Sequence, residues 1–271
     1  MKDLKNTDVC SILGRVMLLC RDDGVRFTTT DRLDEIEKVL FGSAYQRVDR
    51  EDLFRLYAKR PIEELKGPLL LVSSHVDCEA NITKCFCEDI GGGLLKGTFD
   101  NAATNAAVLS VMLDGDLPDN VVVSFTGDEE RGSKGAEETV EYLRSKQLKI
   151  DLAVILDVTD MGWEEGADFT VENNFWRDDQ GKRIIEKAKK LGERWRFVPE
   201  DTEDIPSYVP PEMVIHEGAW MDETSEFYNL HIPCFSFCLP VNGNMHSNAG
   251  VLARKDSLAK YCSALKAILS E

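Results

Sequence analysis

Apolar residues recur at helical spacing over residues 8–20, where Val9, Ile12, Leu13, Val16, Met17 and Leu19 share one face, and this predicts a first helix. Thr30-Asp31 reads as the N-cap of a second helix running through Leu40, with Glu35 early in it. Residues 45–48 and 53–58 are short strand-like runs, expected at a sheet edge. After Gly67-Pro68 the pattern changes. Residues 69–72 are a continuous apolar run, which fits a strand buried on both faces; residues 121–126 are the next expected central strand and 152–156 a third, buried one. Helical segments separate them, one from the small-residue stretch 102–107 to about Leu113 and one over residues 134–146. A second edge segment, with the turn Gly91-Gly92-Gly93 inside it, is expected within residues 82–96. This alternation argues for an α/β fold with a mixed, largely parallel central sheet and helices on both faces.

Residues 158–222 are less regular. They hold a strand candidate at 169–172, a helix at 179–191, a strand at 195–198 and an acidic, proline-containing loop at 199–211. Residues 233–239 form a further expected strand, followed by the loop Asn242-Gly243-Asn244-Met245-His246 and an amphipathic closing helix over 254–269. The sequence shows no internal repeat, and the only linker-like stretch, 199–211, is short for a domain boundary.

With 271 residues, 43% of them hydrophobic, the chain can bury a sizeable core. The formal net charge of −17 disfavours nucleic acid and anionic membrane as partners, because both are held by clustered Lys or Arg. No apolar run approaches the roughly 20 residues that span a bilayer. The N-terminal residues carry charge without an apolar stretch and cleavage site, so a cytoplasmic, reducing location is expected. The eight cysteines are then expected as thiols. Cys85-x-Cys87 and Cys234-x-x-x-Cys238 lack zinc-ribbon spacing and read as small buried hydrophobes.

The predicted strand ends carry the chemistry. His75 and Asp77 follow the first central run, Glu129 and Glu130 the second, and Asp157 the third; Asp100 stands before a helix and His246 in a late loop. Ligand sites in open α/β sheets lie beyond the carboxyl ends of the strands. Singly, each residue has a plainer reading as a cap, a turn residue or a solvated helix start. Together, two histidines and several carboxylates without cysteine suit a zinc or manganese site with open positions, and one Asp can bridge two ions about 3.5–4 Å apart.

This order and spacing resembles the co-catalytic di-zinc exopeptidase clan, which contains aminopeptidases, carboxypeptidases, dipeptidases and amide deacylases. Ser74-His75-Val76-Asp77, Thr98-Phe99-Asp100-Asn101, Gly127-Asp128-Glu129-Glu130, Leu156-Asp157-Val158-Thr159 and Met245-His246-Ser247 match its motifs. The resemblance implies that Asp100 bridges two divalent ions, zinc first, with cobalt or manganese as alternatives. His75 and Asp157 would complete one ion, and Glu130 and His246 the other. Glu129 would act as general base and Asp77 would orient His75. A cis peptide at Asp100-Asn101 is also implied.

Clan members with a second domain insert it between the first two motifs or between the last two ligands. Here those gaps run from 75 to 100 and from 157 to 246, which leaves little room for an insertion. The expectation is one metallohydrolase domain over 1–271, close to the compact aminopeptidases and acting on a small peptide or amide. The rivals are a deacylase using the same site and a non-catalytic binding protein. One departure stands out: Ser247-Asn248-Ala249-Gly250 follows the last His where the clan often has an acid. Trp163, Phe175, Trp176, Trp195 and Trp220 read as a satellite core rather than cleft walls. His231 reads as structural, His216 as a residue that could approach substrate, and Asp222 first as a helix cap.

Overall fold

The computed structural model describes residues 8–17, 28–50, 52–115, 117–175, 186, 188–199 and 222–270. Its helices are α1 (Val9–Met17), α2 (Thr29–Leu40), α3 (Ala102–Asp114), α4 (Lys134–Ser145), α5 (Thr224–Asn229) and α6 (Lys255–Leu269). The strands are β1 (Gln46–Arg50), β2 (Phe54–Ala58), β3 (Leu69–His75), β4 (Cys87–Gly91), β5 (Leu94–Gly97), β6 (Val121–Thr126), β7 (Ile150–Thr159), β8 (Phe169–Phe175), β9 (Phe197–Pro199), β10 (Cys234–Asn242) and β11 (Val251–Arg254). They form one sheet in the order β1-β2-β6-β3-β7-β10-β11-β5-β4, and β8 joins β10 and carries β9.

The centre of the sheet, β6-β3-β7-β10, is parallel, whereas its flanks are antiparallel. The continuous apolar runs of the sequence account for this centre. Alternate residues of each run face opposite layers. Val121, Val123 and Phe125 join Leu152, Val154 and Leu156 in the core beneath α1, α2, α3 and α6. Val122, Ala153 and Ile155 face the second core beneath α4 and α5. Helix α3 is buried nearly all round, between the sheet, α1 and α6, and its small residues allow that close approach.

Three expectations are corrected. Helix α2 is capped by Thr28, not Thr30-Asp31. Asp31 N–H donates to Thr28 Oγ1 at 3.2 Å, and Thr28 N–H donates to the Asp31 carboxylate at 2.8 Å. Three successive threonines offer the same cap chemistry, and the reciprocal bond with Asp31 selects the first. The strand at 195–198 narrows to Phe197–Pro199. Arg254, expected as the first residue of the closing helix, instead ends strand β11, which pairing with β5 and β10 makes a strand. The expected helix over 179–191 and the loop over 199–211 lie mostly outside the described residues. No helix among the described residues is long and apolar enough to cross a membrane.

Gly97 closes the β4–β5 hairpin just before Asp100. A Cβ there would stand 2.3 Å from the Phe86 carbonyl oxygen and 2.6 Å from the Phe99 ring. The Phe86 carbonyl cannot retreat freely, because it accepts the Thr98 N–H at 3.1 Å. Gly97→Ala should therefore destabilise the protein by about 1–3 kcal/mol, the usual effect of forced overpacking. Urea unfolding measures this, and a variant as stable as the wild type would show that the hairpin does not pack this way.

Candidate metal centre

Strand β3 precedes β6 and β7 in the chain but lies between them in the sheet. The connections therefore diverge at its carboxyl end, which is where open α/β sheets place their ligand crevice. His75 is the last residue of β3 and pairs in register with Thr126, so Glu129 and Glu130 emerge beside it from the 3₁₀ turn Glu129–Arg131. Asp157 emerges on the other side from β7. The turn is bounded by Asp128 and Ser133, both with positive φ. Asp77 fastens it, accepting the N–H groups of Glu129 and Glu130 at 3.2 and 3.3 Å.

Asp100 precedes α3 across a cis peptide to Asn101, as the resemblance implies. The helix start is tied to both neighbouring strand ends. Asn101 Nδ2 donates to the Leu156 carbonyl at 2.6 Å, and Asn105 Nδ2 to the His75 carbonyl at 2.8 Å. Ser74 Oγ donates to Asn105 Oδ1 at 3.0 Å. These buried amides satisfy carbonyls at the strand ends and fix Asp100 relative to His75 and Asp157. The His246 loop is held without the acid that the clan often carries. Asn81 Nδ2 donates to the His246 carbonyl at 2.9 Å, and Asn248 Oδ1 accepts from Thr83 N–H at 2.8 Å.

His75 Nε2 lies 3.1 Å from Asp100 Oδ1 and 3.7 Å from Asp157 Oδ1, while its Nδ1 faces Asp77 at 3.5 Å. His246 Nε2 lies 3.4 Å from Asp100 Oδ2 and 3.8 Å from Glu130 Oε2. The two oxygens of Asp100 thus face different histidines. His75, Asp100 and Asp157 offer one ligand atom each within 4.8 Å of one another, as do Asp100, Glu130 and His246. His75, Glu129 and Glu130 also come within that span, but without Asp100. Asp100 Oδ1 and Glu130 Oε1 are buried with no aligned hydrogen-bond donor. Acceptors buried in that way are costly unless a cation meets them, so the donor set fits a divalent metal.

The electrostatics agree. Burial opposes a charge on Asp100, but His246 and His75 hold its carboxyl well below the usual range. Burial, with Asp157, Asp100 and Glu130 nearby, pushes Glu129 up to about 10 against the pull of His75. Burial and Asp100 push Glu130 up to about 8, and burial pushes Asp157 up to about 6. Burial opposes a proton on His75, yet Glu129, Asp100, Asp157 and Asp77 together hold its pKa well above the ordinary value. His246, bonded to Asp100, rises to about 9. Carboxylates outnumber the histidines here, and the excess negative charge resists full ionisation until cations are present.

The cleft is also lined by Val158, Thr159, Asp160, Glu172, Asp222, Cys238 and Met245. Sequence reasoning did not single out Glu172 as a cleft residue. Asp222 stands one residue before the N-cap of α5, which is Glu223; it accepts from Thr224 N–H at 2.8 Å and lines the cleft. Trp163 and Trp195 do not line it. The Arg254 guanidinium stacks on Trp163 at 3.6 Å, and Trp195 packs on the main core. His231 sits in a left-handed turn after α5. His216, Trp176, Trp220 and the side chain of Phe175 lie outside the described residues. The seven described cysteines are free thiols; Cys85, Cys234 and Cys238 are buried as expected, whereas Cys87 is only partly buried.

Histidines and carboxylates gathered beyond parallel strand ends suit a metal-dependent hydrolase. Residues 57–203, more than half of the chain, match the model of peptidase family M28, and the chain belongs to that family of metallopeptidases. Its fold is similar to a TET aminopeptidase from a marine-sediment Thaumarchaeota archaeon, at TM-score 0.71 and 10% identity over 97% of this chain and 96% of that one. It is similar to an aminopeptidase of the archaeon Desulfurococcus kamchatkensis, at 0.69 and 12% over 97% and 95%. It is also similar to the LapA aminopeptidase of Legionella pneumophila, at 0.64 and 13% over 97% and 71%. At these identities the likeness is one of fold. No curated protein matches the sequence.

Glu223 escaped sequence reasoning altogether. It is 1% exposed, and its carboxylate accepts from Ser73 Oγ of β3 and Thr126 Oγ1 of β6, two residues before His75 and three before Glu129. Burial pushes its pKa up to about 7, although both hydroxyls favour the charged form. A carboxyl raised on folding stabilises most while protonated. Its contribution is full below the unfolded value near 4.5 and is lost as pH rises through about 7. In metal-free protein, Glu223→Gln should remove up to about 3 kcal/mol of stability difference between pH 4 and 8. Urea unfolding of both proteins across that range measures it, and parallel stability–pH curves would contradict it.

Proposed function

We propose that this chain is an aminopeptidase that holds two divalent ions, zinc in the first instance, over the Asp100 carboxylate. The observation that carries the reading is the division of Asp100, with one oxygen toward His75 and Asp157 and the other toward His246 and Glu130. Nitrogen and oxygen donors without thiolate suit zinc, and also cobalt or manganese. Such a pair of ions, when bound, polarises the scissile carbonyl and lowers the pKa of a water.

The residues divide the remaining work. Glu129 Oε takes the proton from the attacking water and passes it to the leaving amine nitrogen. Its pKa of about 10 in the protein alone would fall beside two cations, toward the range where a base works at neutral pH. Asp77 faces His75 Nδ1 and leaves Nε2 toward Asp100. Asp77 also binds the Glu129 and Glu130 amides, so it couples imidazole and base in one frame.

An aminopeptidase is preferred over a deacylase because structures of similar fold include aminopeptidases from archaea and from a bacterium. The acidic cleft also suits a substrate with a free ammonium. The reading takes the chain as one metallohydrolase domain without an inserted lid. This is supported by a sheet that draws strands from Gln46 to Arg254 and by neighbours matched over 95% or more of their length. It places the protein in the cytoplasm, where free thiols persist.

The test separates base from ligand. Glu129→Gln keeps the shape and cannot accept the proton, so turnover of an aminoacyl anilide should fall by ~10²–10⁴ with both metals retained. Glu130→Gln should lose about one metal equivalent. Metal analysis and kinetics on the two variants decide it. If Glu129→Gln sheds metal and is restored by added zinc, the two roles are reversed; if neither variant changes metal or rate, the reading fails.

A further inference from the structure

Arg32, Cys78 and Cys85 stand behind the proposed metal centre and take no part in its chemistry. Arg32 of α2 is fully buried and reaches under the irregular segment between β3 and β4. Its Nη1 donates to the Val76 carbonyl at 2.6 Å. Its Nη2 lies 3.7 Å from Cys78 Sγ and 4.0 Å from Cys85 Sγ. The two thiols are also hydrogen-bonded to each other. Cys78 Sγ donates to the Asp100 carbonyl at 3.4 Å. The chain between the two cysteines carries the anchors of the His246 loop. Asn81 Nδ2 donates to the His246 carbonyl at 2.9 Å, and the Thr83 and Lys84 N–H groups donate to Asn248 Oδ1 at 2.8 and 3.2 Å. One thiol therefore touches the residue placed between the two ions, and the segment joining both thiols holds one of the histidines.

We propose that Cys78 and Cys85 are a modification site, oxidised to a disulfide that loosens the His246 side of the metal centre. The regulatory half of this inference rests on the two-ion reading of that centre. The pair is placed for the chemistry. Ala80, Asn81, Thr83 and Lys84 of the same segment are exposed, and the cysteines lie just beneath them at 6% and 7%, within reach of a small oxidant such as hydrogen peroxide. A guanidinium beside both sulfurs favours the thiolate that reacts. Cys78 has its S–H turned to the Asp100 carbonyl, so Cys85 is the sulfur that attacks. It takes one peroxide oxygen as a sulfenic acid, and the other oxygen leaves as water with the Cys85 proton. Cys78 then displaces hydroxide from that sulfur, which departs with the Cys78 proton as a second water, and the S–S bond forms. The two thiols give up two electrons and the peroxide receives them. No helix or strand spans residues 76–86 to resist the closure. Closure takes the Cys78 donor from the Asp100 carbonyl and draws the ends of the segment together, which shifts Asn81, Thr83 and Lys84 from the His246 loop. In a reducing compartment such a bond is transient, as sensing disulfides are.

The experiment treats zinc-loaded protein with hydrogen peroxide beside a phosphine-reduced sample. Peptide mapping should find a Cys78–Cys85 link, and thiol titration after unfolding should fall by two from the eight of the chain. Competition with a chromophoric chelator should show one zinc ion held about 10- to 100-fold more weakly, the usual loss when a group behind a metal ligand is disturbed. Turnover of an aminoacyl anilide should fall with it, and reduction should restore both. Cys85→Ser should match the reduced wild type in zinc affinity and turnover and resist peroxide. If that variant does not fold, mapping and zinc competition on the wild type decide. Absence of the link overturns the proposal, as does a link that leaves zinc affinity unchanged. Peroxide inhibition that persists in Cys85→Ser also overturns it, and would point to Cys238 in the cleft. Reduced protein that binds no zinc and cleaves no aminoacyl anilide would sink the two-ion reading and the regulatory half with it, while mapping would still decide the link.

Discussion

Mutual repulsion among buried carboxylates is the constraint that the rest of this structure has to meet. Asp100, Glu129, Glu130 and Asp157 converge beyond three parallel strands, and only His75 and His246 among the gathered groups can carry positive charge. Such an arrangement is unfavourable for a protein by itself, as the raised pKa values of Glu129, Glu130 and Asp157 record. It persists because the backbone beneath it leaves little freedom. Register pairing fixes β3 against β6 and β7, and the Asn101 and Asn105 amides bind the helix start to the ends of β3 and β7. Asp77 binds the Glu129–Glu130 turn from below. The cost of crowding acids is thus held in a rigid frame, and divalent cations, as proposed here, would relieve it.

The same frame explains the second layer of acids. Glu223 joins β3 to β6 just beneath the cluster, and Glu172 and Asp222 extend negative potential along the face of β10. Their carboxylates are met by serine and threonine hydroxyls rather than by basic side chains in the bonds described. Hydroxyls hold a carboxylate in place without neutralising it.

Much of this was legible in the sequence because the relevant signals are local. The runs at 69–72 and 152–156 are apolar at every position and 121–126 is interrupted only by Ser124 and Thr126, a pattern that suits doubly covered strands. His75, Asp77, Glu129, Glu130 and Asp157 stand just beyond those runs, so fold and most of the site were read together. What escaped depends on contacts between distant segments. Glu172 shares a strand face with Thr170, which by itself signals nothing, and only the antiparallel pairing of β8 with β10 brings it to the cleft. Glu223 meets Ser73 across 150 residues of chain. Strand β11 is four residues long, too short to show a period, and exists through its partners β5 and β10. The role of Asn81 and Asn248 in holding the His246 loop was invisible for the same reason.

The central claim is that Asp100 holds one cation on each oxygen. Diffraction from zinc-soaked crystals, recorded above and below the zinc absorption edge, tests it directly. The account predicts two anomalous peaks about 3.5–4 Å apart. One should lie between Asp100 Oδ1, His75 and Asp157, and the other between Asp100 Oδ2, Glu130 and His246. A single peak shared by His75, Glu129 and Glu130, with Asp100 making no contact to it, would contradict the account.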